Sequence, residues 1–182
     1  EACFYSCSSL TKLEIPDSVT TIVSGAFSGC SGLQEVKMPV DLMTAGCFGQ
    51  CAGVQKIHYT YGTTGKMYER VTHSNWSTYY QNTLEYISRN ALTTVVFDEG
   101  ITYVANYAFY QGAALTEAVL PTTLQTIDQY AFCNCTVLNK VQGLSNLETI
   151  GDYAFYNCSS LPALNGTLNL KTIGQRAFQN CT

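Results

Sequence analysis

Nine cysteines and two histidines are the residues in this 182-residue chain whose types could carry chemistry. Cysteine can form disulfides, ligate metals or act as a nucleophile, and histidine can serve as its base. Three of the cysteines adjoin a phenylalanine: Cys3 and Cys47 directly precede one, and Cys133 directly follows one. The other six each stand three residues after an aromatic residue: Cys7, Cys30, Cys51, Cys135, Cys158 and Cys181.

A catalytic site is hard to assemble from these residues. His58 could pair with Cys47 or Cys51 on paper, but both cysteines fall at positions that the repeat described below explains better. The adjacent carboxylates Asp98 and Glu99 lie at one predicted strand end and not across a cleft. The sequence contains no G-x-S-x-G, H-E-x-x-H, P-loop or dinucleotide fingerprint. We therefore expect a protein that is not an enzyme and uses no cofactor.

An aromatic residue, mostly preceded by alanine, recurs every 23 residues along much of the chain. The aromatic positions are Phe4, Phe27, Phe48, Tyr86, Phe109, Phe132, Phe155 and Phe178. Apolar residues follow six, nine and eleven positions later. A unit of this size cannot bury its apolar side alone. We therefore predict a single repeat solenoid over residues 1–182, with about eight units and an irregular insert near 60–83.

The apolar positions nine and eleven residues after each aromatic differ by two, which is the period of a β-strand. Both therefore point inward, and equivalent strands of successive units run the same way. We predict a parallel sheet on one face, with short strands, turns or 3₁₀ pieces closing each coil on the other. The predicted strands are 12–16, 35–39, 56–60, 94–98, 117–121, 140–144 and 163–167.

Three segments show the repeat most fully: Ala-Phe-Ser-Gly-Cys-Ser-Gly-Leu at 26–33, Ala-Phe-Tyr-Asn-Cys-Ser-Ser-Leu at 154–161 and Leu-Glu-Ile-Pro-Asp-Ser-Val-Thr-Thr-Ile at 13–22. This pattern resembles the BspA-like, or Treponema pallidum type, leucine-rich repeats over nearly all the chain except about 60–83. The resemblance implies a leucine-rich repeat fold made mainly of β-strand and coil. It also implies a bacterial or protist surface protein that contacts other proteins. Repeat residues are scaffold residues, so the resemblance defines the fold better than the function.

The cysteine column allows a disulfide ladder, a metal site or buried free thiols. Adjacent rungs lie about 4.8 Å apart, which is within the Cα range of a disulfide. Parallel Cβ vectors fit the bridge dihedral poorly, however, and one column offers no unique pairing. No C-x-x-C motif occurs, and Cys133 and Cys135 are too close in sequence for ordinary zinc ligation. We predict buried thiols that bond weakly to turn carbonyls, and no metal site.

Positions eight and ten after each aromatic flank the inward position nine and must face outward. The charged residues at these positions in the first three rungs are Lys12, Glu14, Glu35, Lys37 and Lys56. Their alternating signs indicate a solvated charge ladder, because opposite charges on adjacent strands attract. The alternative is a ligand-binding sheet face, which solenoids commonly use. Val96 and Val119, side by side on this face, would form a small apolar patch that supports a partner site.

The irregular insert holds the only tryptophan and a cluster of tyrosines. Long departures from a repeat usually form loops, often on the binding side. The aromatic side chains could contact a protein or carbohydrate, or could only pack the insert onto the solenoid. The candidate partner-binding residues here are His58, Tyr61, Tyr68, His73, Trp76, Tyr79 and Tyr80.

Composition narrows the class of partner. The net charge of −4 argues against the basic surface that nucleic acids require. No apolar run approaches the roughly 20 residues of a membrane span, so we expect no direct membrane insertion. Because both chain ends fall within a repeat, we expect a stretch of a longer chain. We therefore predict an extracellular or cell-surface binding module for adhesion. The alternatives are a structural spacer or accessory domain of a larger secreted protein, or a secreted mimic of host repeats.

Overall fold

The structure is a computed structural model that describes residues 3–42, 47–67 and 90–181. Its strands form two parallel β-sheets. The larger sheet holds β1 Lys12–Glu14, β2 Glu35–Pro39, β3 Lys56–Thr60, β4 Thr94–Phe97, β6 Glu117–Val119 and β8 Lys140–Gln142. The smaller sheet holds β5 Tyr103–Val104, β7 Thr126–Ile127, β9 Thr149–Ile150 and β10 Thr172–Ile173. No residue of the described ranges is helical. The predicted leucine-rich repeat solenoid is confirmed.

Equivalent residues of successive repeats pair in register along the larger sheet. Leu13 pairs with Val36, and Val95 pairs with Ala118. These residues occupy the predicted inward position, and all but the terminal ones are fully buried. Strands β2 and β3 have the predicted bounds, whereas β1, β4, β6 and β8 end one or two residues early. The repeat period therefore sets both the strand positions and the register.

Strand β3 pairs directly with β4, although 33 residues separate Thr60 from Thr94 in the sequence. The chain leaves the larger sheet after Thr60 and makes a turn over 62–64. It then reaches the smaller sheet, where Lys66 forms a parallel bridge with Tyr103. Tyr86, the aromatic residue of the next predicted unit, lies outside the described residues, whereas the strand of that unit is β4.

A column of stacked phenylalanine rings fills the space between the two sheets. Phe109, Phe132, Phe155 and Phe178 stack with ring centroids 5.1 to 5.5 Å apart. At the other end, Phe27 lies 5.2 Å from Phe4 and 5.5 Å from Phe48. Burying one such ring removes about 150–250 Å² of side-chain surface from water, so this column is a main source of stability.

Each phenylalanine of this column lies in a tight turn. Where both positions are described, the residues two before and two after the phenylalanine have a left-handed backbone. In one repeat, Tyr130 and Asn134 have φ angles of 56° and 62°. This conformation exposes backbone N–H groups along the solenoid axis. Tyr130, Phe132 and Asn134 each donate to a carbonyl of the next repeat, at 2.8 to 2.9 Å. The turns therefore form a continuous hydrogen-bonded edge of their own.

The prediction of a strand at 163–167 is wrong, and a proline explains the difference. The residue before each strand donates its N–H to its equivalent one rung earlier, as Asn139 does to Thr116 O at 3.1 Å. The next equivalent is Pro162, which has no N–H to donate. Gly166 has a φ of 86°, but its equivalent Gly143 has a φ of 83° directly after β8, so the glycine limits the length of a strand and does not prevent one. Within the described residues, the larger sheet therefore ends at β8.

Candidate binding surfaces

The cysteine column lies inside the scaffold. The eight cysteines other than Cys3 are free thiols. Five of them donate to a phenylalanine carbonyl of the preceding repeat at 3.1 Å: Cys30, Cys51, Cys135, Cys158 and Cys181. Burial raises the pKa of Cys158 to about 12 and that of Cys51 to about 11. A thiol that stays protonated at neutral pH is a poor nucleophile and a poor metal ligand. These cysteines therefore stabilise the turns.

Outside the column, Cys47 and Cys133 are also buried, and burial raises the pKa of Cys47 to about 12 and that of Cys133 to about 11. Cys3 is exposed at the open first turn. The described residues contain no group of three or more His, Cys, Asp or Glu side chains arranged to hold a metal ion.

The outward face of the larger sheet carries a ladder of ion pairs along its first three strands. Glu35 lies between two lysines: Lys12 Nζ is 3.1 Å from its Oε2, and Lys56 Nζ is 3.2 Å from its Oε1. Hydrogen bonds from Lys12 and then Lys56 hold the pKa of Glu35 below its usual value. Lys37 lies 2.7 Å from Glu14 on the neighbouring strand. The predicted alternation of charges across the strands is therefore present as direct contacts.

His58 lies at the centre of this face and contacts Asp98, just beyond the end of β4. The distance between His58 Nε2 and Asp98 Oδ1 is 2.7 Å, and about a quarter of the His58 side chain is exposed. The sequence analysis selected His58 but did not predict its contact with Asp98. The two residues are 40 positions apart and become neighbours only because β3 pairs with β4.

Val96 and Val119 are paired neighbours on the same face, as predicted. Both are partly buried, so the apolar patch they form is smaller than two fully exposed valines would give. His58 and Gln142 flank them in the same row. Along the sheet, the outward face therefore changes from ion pairs on the first three strands to an apolar centre at Val96 and Val119.

The first turn of the insert is fixed to the solenoid by Asp41. This buried carboxylate accepts hydrogen bonds from the backbone N–H groups of Thr63 and Thr64 and from the Thr63 hydroxyl. Tyr61 is exposed along one side, and its ring covers two glycines: a Cβ at Gly65 would lie 2.3 Å from Tyr61 Cε2. Tyr61 therefore also packs onto the scaffold.

The remaining insert candidates lie outside the described residues. They are Tyr68, His73, Trp76, Tyr79 and Tyr80. Their role in partner binding stays a prediction.

Sequence reasoning missed a second surface, which we call the tyrosine ladder: Tyr107, Tyr110, Tyr130, Tyr153 and Tyr156. Tyr107, Tyr130 and Tyr153 stack with centroids 4.7 and 4.9 Å apart. Tyr110 and Tyr156 contact this row from the side. The signal in the sequence is the tripeptide Tyr-Ala-Phe, which recurs in three consecutive repeats.

A 23-residue unit that adds one parallel rung and one stacked phenylalanine defines a leucine-rich repeat solenoid. The chain belongs to the BspA-type leucine-rich repeat family, whose six-copy model matches residues 1–92 and 71–182. Membership suggests a protein-interaction module, since proteins of this family are generally non-catalytic. They are typically surface or secreted bacterial proteins. No helix of the described residues is long and apolar enough to cross a bilayer.

Three solved structures are similar in fold. A leucine-rich repeat protein from Eubacterium ventriosum is 20% identical with a TM-score of 0.57, and the match covers 93% of this chain and 42% of that one. One from Bacteroides ovatus is 21% identical with a TM-score of 0.56, covering 100% and 55%. The T. pallidum leucine-rich repeat protein is 24% identical with a TM-score of 0.53, covering 87% and 68%. This chain thus spans less than half of the Eubacterium structure. No curated protein matches the sequence.

Proposed function

We propose that this chain is a non-catalytic binding module that works outside the cell or at its surface, in adhesion to a protein or glycan. Its binding surface is the outward face of the larger sheet together with the insert. The observation that carries the proposal is the row His58, Val96 and Val119, which interrupts the charged ladder with an apolar centre on an extended flat face. Solenoids use such faces because many side chains point the same way on a rigid frame.

The polar side chains around this centre suit a specific contact. Lys37, which forms an ion pair with Glu14, lies beside His58 on the neighbouring strand. A partner that covered this region would bury the valines at the centre and leave the ion pairs at the rim. Interfaces that bind well have this arrangement of an apolar core and a polar rim. The insert residues Tyr68, His73, Trp76, Tyr79 and Tyr80 would extend the contact.

The second candidate function is a spacer or accessory repeat domain of a larger secreted protein. The ion pairs of the sheet face support it, because charges that satisfy each other offer little to a partner. Lys12, Glu35 and Lys56 are bound to one another, and Lys140 is bound to Glu117. A spacer would need a rigid frame and no binding surface.

A binding panel distinguishes the two functions. Purified extracellular-matrix proteins, host surface proteins and a glycan array are tested against the chain, a Val96→Thr/Val119→Thr variant and a Trp76→Ala variant. Threonine keeps the shape and strand preference of valine, so the fold is preserved while the apolar patch is lost. The binding proposal expects at least one ligand whose affinity falls about tenfold in one of the variants. A panel with no ligand, or with ligands that neither variant weakens, would favour the spacer.

A further inference from the structure

The tyrosine ladder is a second surface, on the turn edge of the solenoid and away from the outward sheet face. Its inner row consists of Tyr107, Tyr130 and Tyr153, whose rings are parallel to within 10°. The row does not end at Tyr153, because the guanidinium carbon of Arg176 lies 5.8 Å from that ring centroid. The protein itself therefore continues the stack of aromatic rings with an arginine.

The turn does not require tyrosine at these positions. Tyr107, Tyr130 and Tyr153 all have a φ of 56°, in the left-handed region that bulky side chains seldom adopt. Gly25 occupies the equivalent position of an earlier repeat with a φ of 76°, and glycine has no steric cost there. Tyrosine thus occupies, in three consecutive repeats, a position where the backbone favours glycine. This points to a use for the rings themselves.

Carboxylates accompany the rings along the same edge. Asp128 accepts hydrogen bonds from the Tyr103 hydroxyl and the Gln129 N–H, and Asp152 accepts one from the Gln175 N–H at 2.6 Å. In the described ranges, no lysine, arginine or histidine forms an ion pair with either carboxylate. Burial raises the pKa of Tyr130, and Tyr153, Cys133 and Asp152 add to the effect. The Tyr130 N–H also donates to Asp152 O at 2.9 Å, so Asp152 lies beside the ladder.

Geometry excludes one kind of partner from the inner row. Rings stacked at 4.7 to 4.9 Å cover each other's faces, so no sugar ring can lie flat between them. Tyr110 makes an edge contact with two rings of the row, with centroids at 5.5 and 6.5 Å, and Tyr156 leans on Tyr153 at 55°. Tyr110 and Tyr156 are partly exposed and lie along the side of the row.

We propose that the tyrosine ladder docks a segment of a partner protein that presents arginine side chains. A guanidinium is planar, stacks on aromatic rings and can donate hydrogen bonds to a carboxylate at the same time. One repeat supplies the partly exposed ring of Tyr156 and the exposed carboxylate of Asp152, and Arg176 shows a guanidinium stacked on a ring of the ladder within the molecule. Lysine carries the same charge but lacks the flat group, so the surface discriminates between the two cations.

The test uses the whole 182-residue chain and two synthetic peptides, one with four arginines spaced by Gly-Ser and one with four lysines in their place. Affinities are measured by calorimetry at two salt concentrations. The arginine peptide is expected to bind about tenfold more tightly than the lysine peptide. Asp152→Asn is expected to weaken the binding and reduce its dependence on salt. Equal affinities for the two peptides, or no binding, would overturn the proposal.

Variants of the ladder make the test specific. Tyr110→Gly/Tyr156→Gly removes the two partly exposed rings, leaves the inner row in place, and is expected to weaken the arginine peptide about tenfold or more. Tyr110→Phe/Tyr156→Phe keeps the rings and is expected to bind within about twofold of the parent, which also shows that the fold tolerates change there. Val96→Thr/Val119→Thr is the matched control on the sheet face and should leave the peptide affinity unchanged, so this proposal and the proposed function fail separately. Loss of an oligosaccharide in the glycine variant, with no arginine peptide bound, would assign the ladder to glycans and overturn the arginine partner.

Discussion

Asp41 Oδ2 accepts a hydrogen bond from the backbone N–H of Thr63 at 2.9 Å, which holds the start of the insert against the solenoid. The same oxygen accepts the Thr64 N–H at 2.7 Å and the Thr63 hydroxyl at 2.6 Å. Asp41 is only 5% exposed, so these donors replace the water that its charge would otherwise bind. The insert therefore leaves the sheet through a fixed turn.

Removing this carboxylate should destabilise the fold. Asp41→Ala removes three hydrogen bonds that a buried, charged acceptor makes, and we expect a loss of about 2–3 kcal/mol in the free energy of unfolding. Glu99 is the matched control, because it accepts equivalent bonds from Thr122 and Thr123 but is exposed. Glu99→Ala should have a much smaller effect. Urea denaturation measures both, and equal losses would contradict the role of burial at Asp41.

Asp41 also gives the stability a dependence on pH. Burial raises its pKa, but the hydrogen bonds from Thr63 and Thr64 outweigh burial and bring the pKa below its usual value. Its contribution is therefore complete above the unfolded pKa of about 3.9 and is lost as the pH falls through the lower folded pKa. Asp41→Asn should flatten this acid limb of a stability–pH curve. An unchanged acid limb in the variant would show that other carboxylates cause it.

The buried thiols predict a second limb at high pH. Burial raises the pKa of Cys47 and Cys158 to about 12, above the value near 9 of an unfolded thiol. Their contribution to stability is present below the unfolded pKa and is lost as the pH rises toward the folded value. We expect slow alkylation of the buried thiols in the native chain at pH 8 and rapid reaction of the same thiols after denaturation without reductant. Eight paired thiols under those conditions would refute the free-thiol structure.

Phe132 tests the stacked column. Its ring is fully buried between Phe109 and Phe155, so Phe132→Ala should cost about 3–5 kcal/mol of unfolding free energy. Phe4→Ala removes a ring of the same column that is 49% exposed, and it should cost much less. Thermal and urea denaturation measure both variants. A negligible loss at Phe132 would mean that the ring column does not hold the sheets together.

Pro162 offers a change that should improve the sheet. The equivalent residues Thr93 and Thr116 belong to the N–H ladder that Pro162 breaks. Pro162→Thr supplies a donor for Asn139 O, and we expect slower hydrogen exchange at residues 163–165 and a gain of about 1 kcal/mol. Pro121→Ala is the control, since its position is beyond a strand end. Unchanged exchange after Pro162→Thr would mean that the missing N–H of Pro162 is not the cause of the strand break.

The repeat period made most of the fold predictable from the sequence. It fixed which residues of β2 and β3 point inward and which charges, such as Lys37 and Glu14, meet across strands. It could not give the contact of His58 with Asp98, because that depends on where the chain returns after a long excursion. The tyrosine ladder was hidden for another reason: a residue in a turn gives no period-two pattern, and its direction follows from a positive φ that Tyr130 seldom adopts.

A hydrogen-exchange footprint of the chain with the tightest ligand of the binding panel tests most directly whether the outward sheet face binds a partner. A binding site on this face predicts slower exchange at β3, β4 and β6, whose outward residues include His58, Val96 and Val119. It also predicts that the footprint disappears in the Val96→Thr/Val119→Thr variant. A ligand that protects only residues remote from these strands, with the same footprint in that variant, would contradict it.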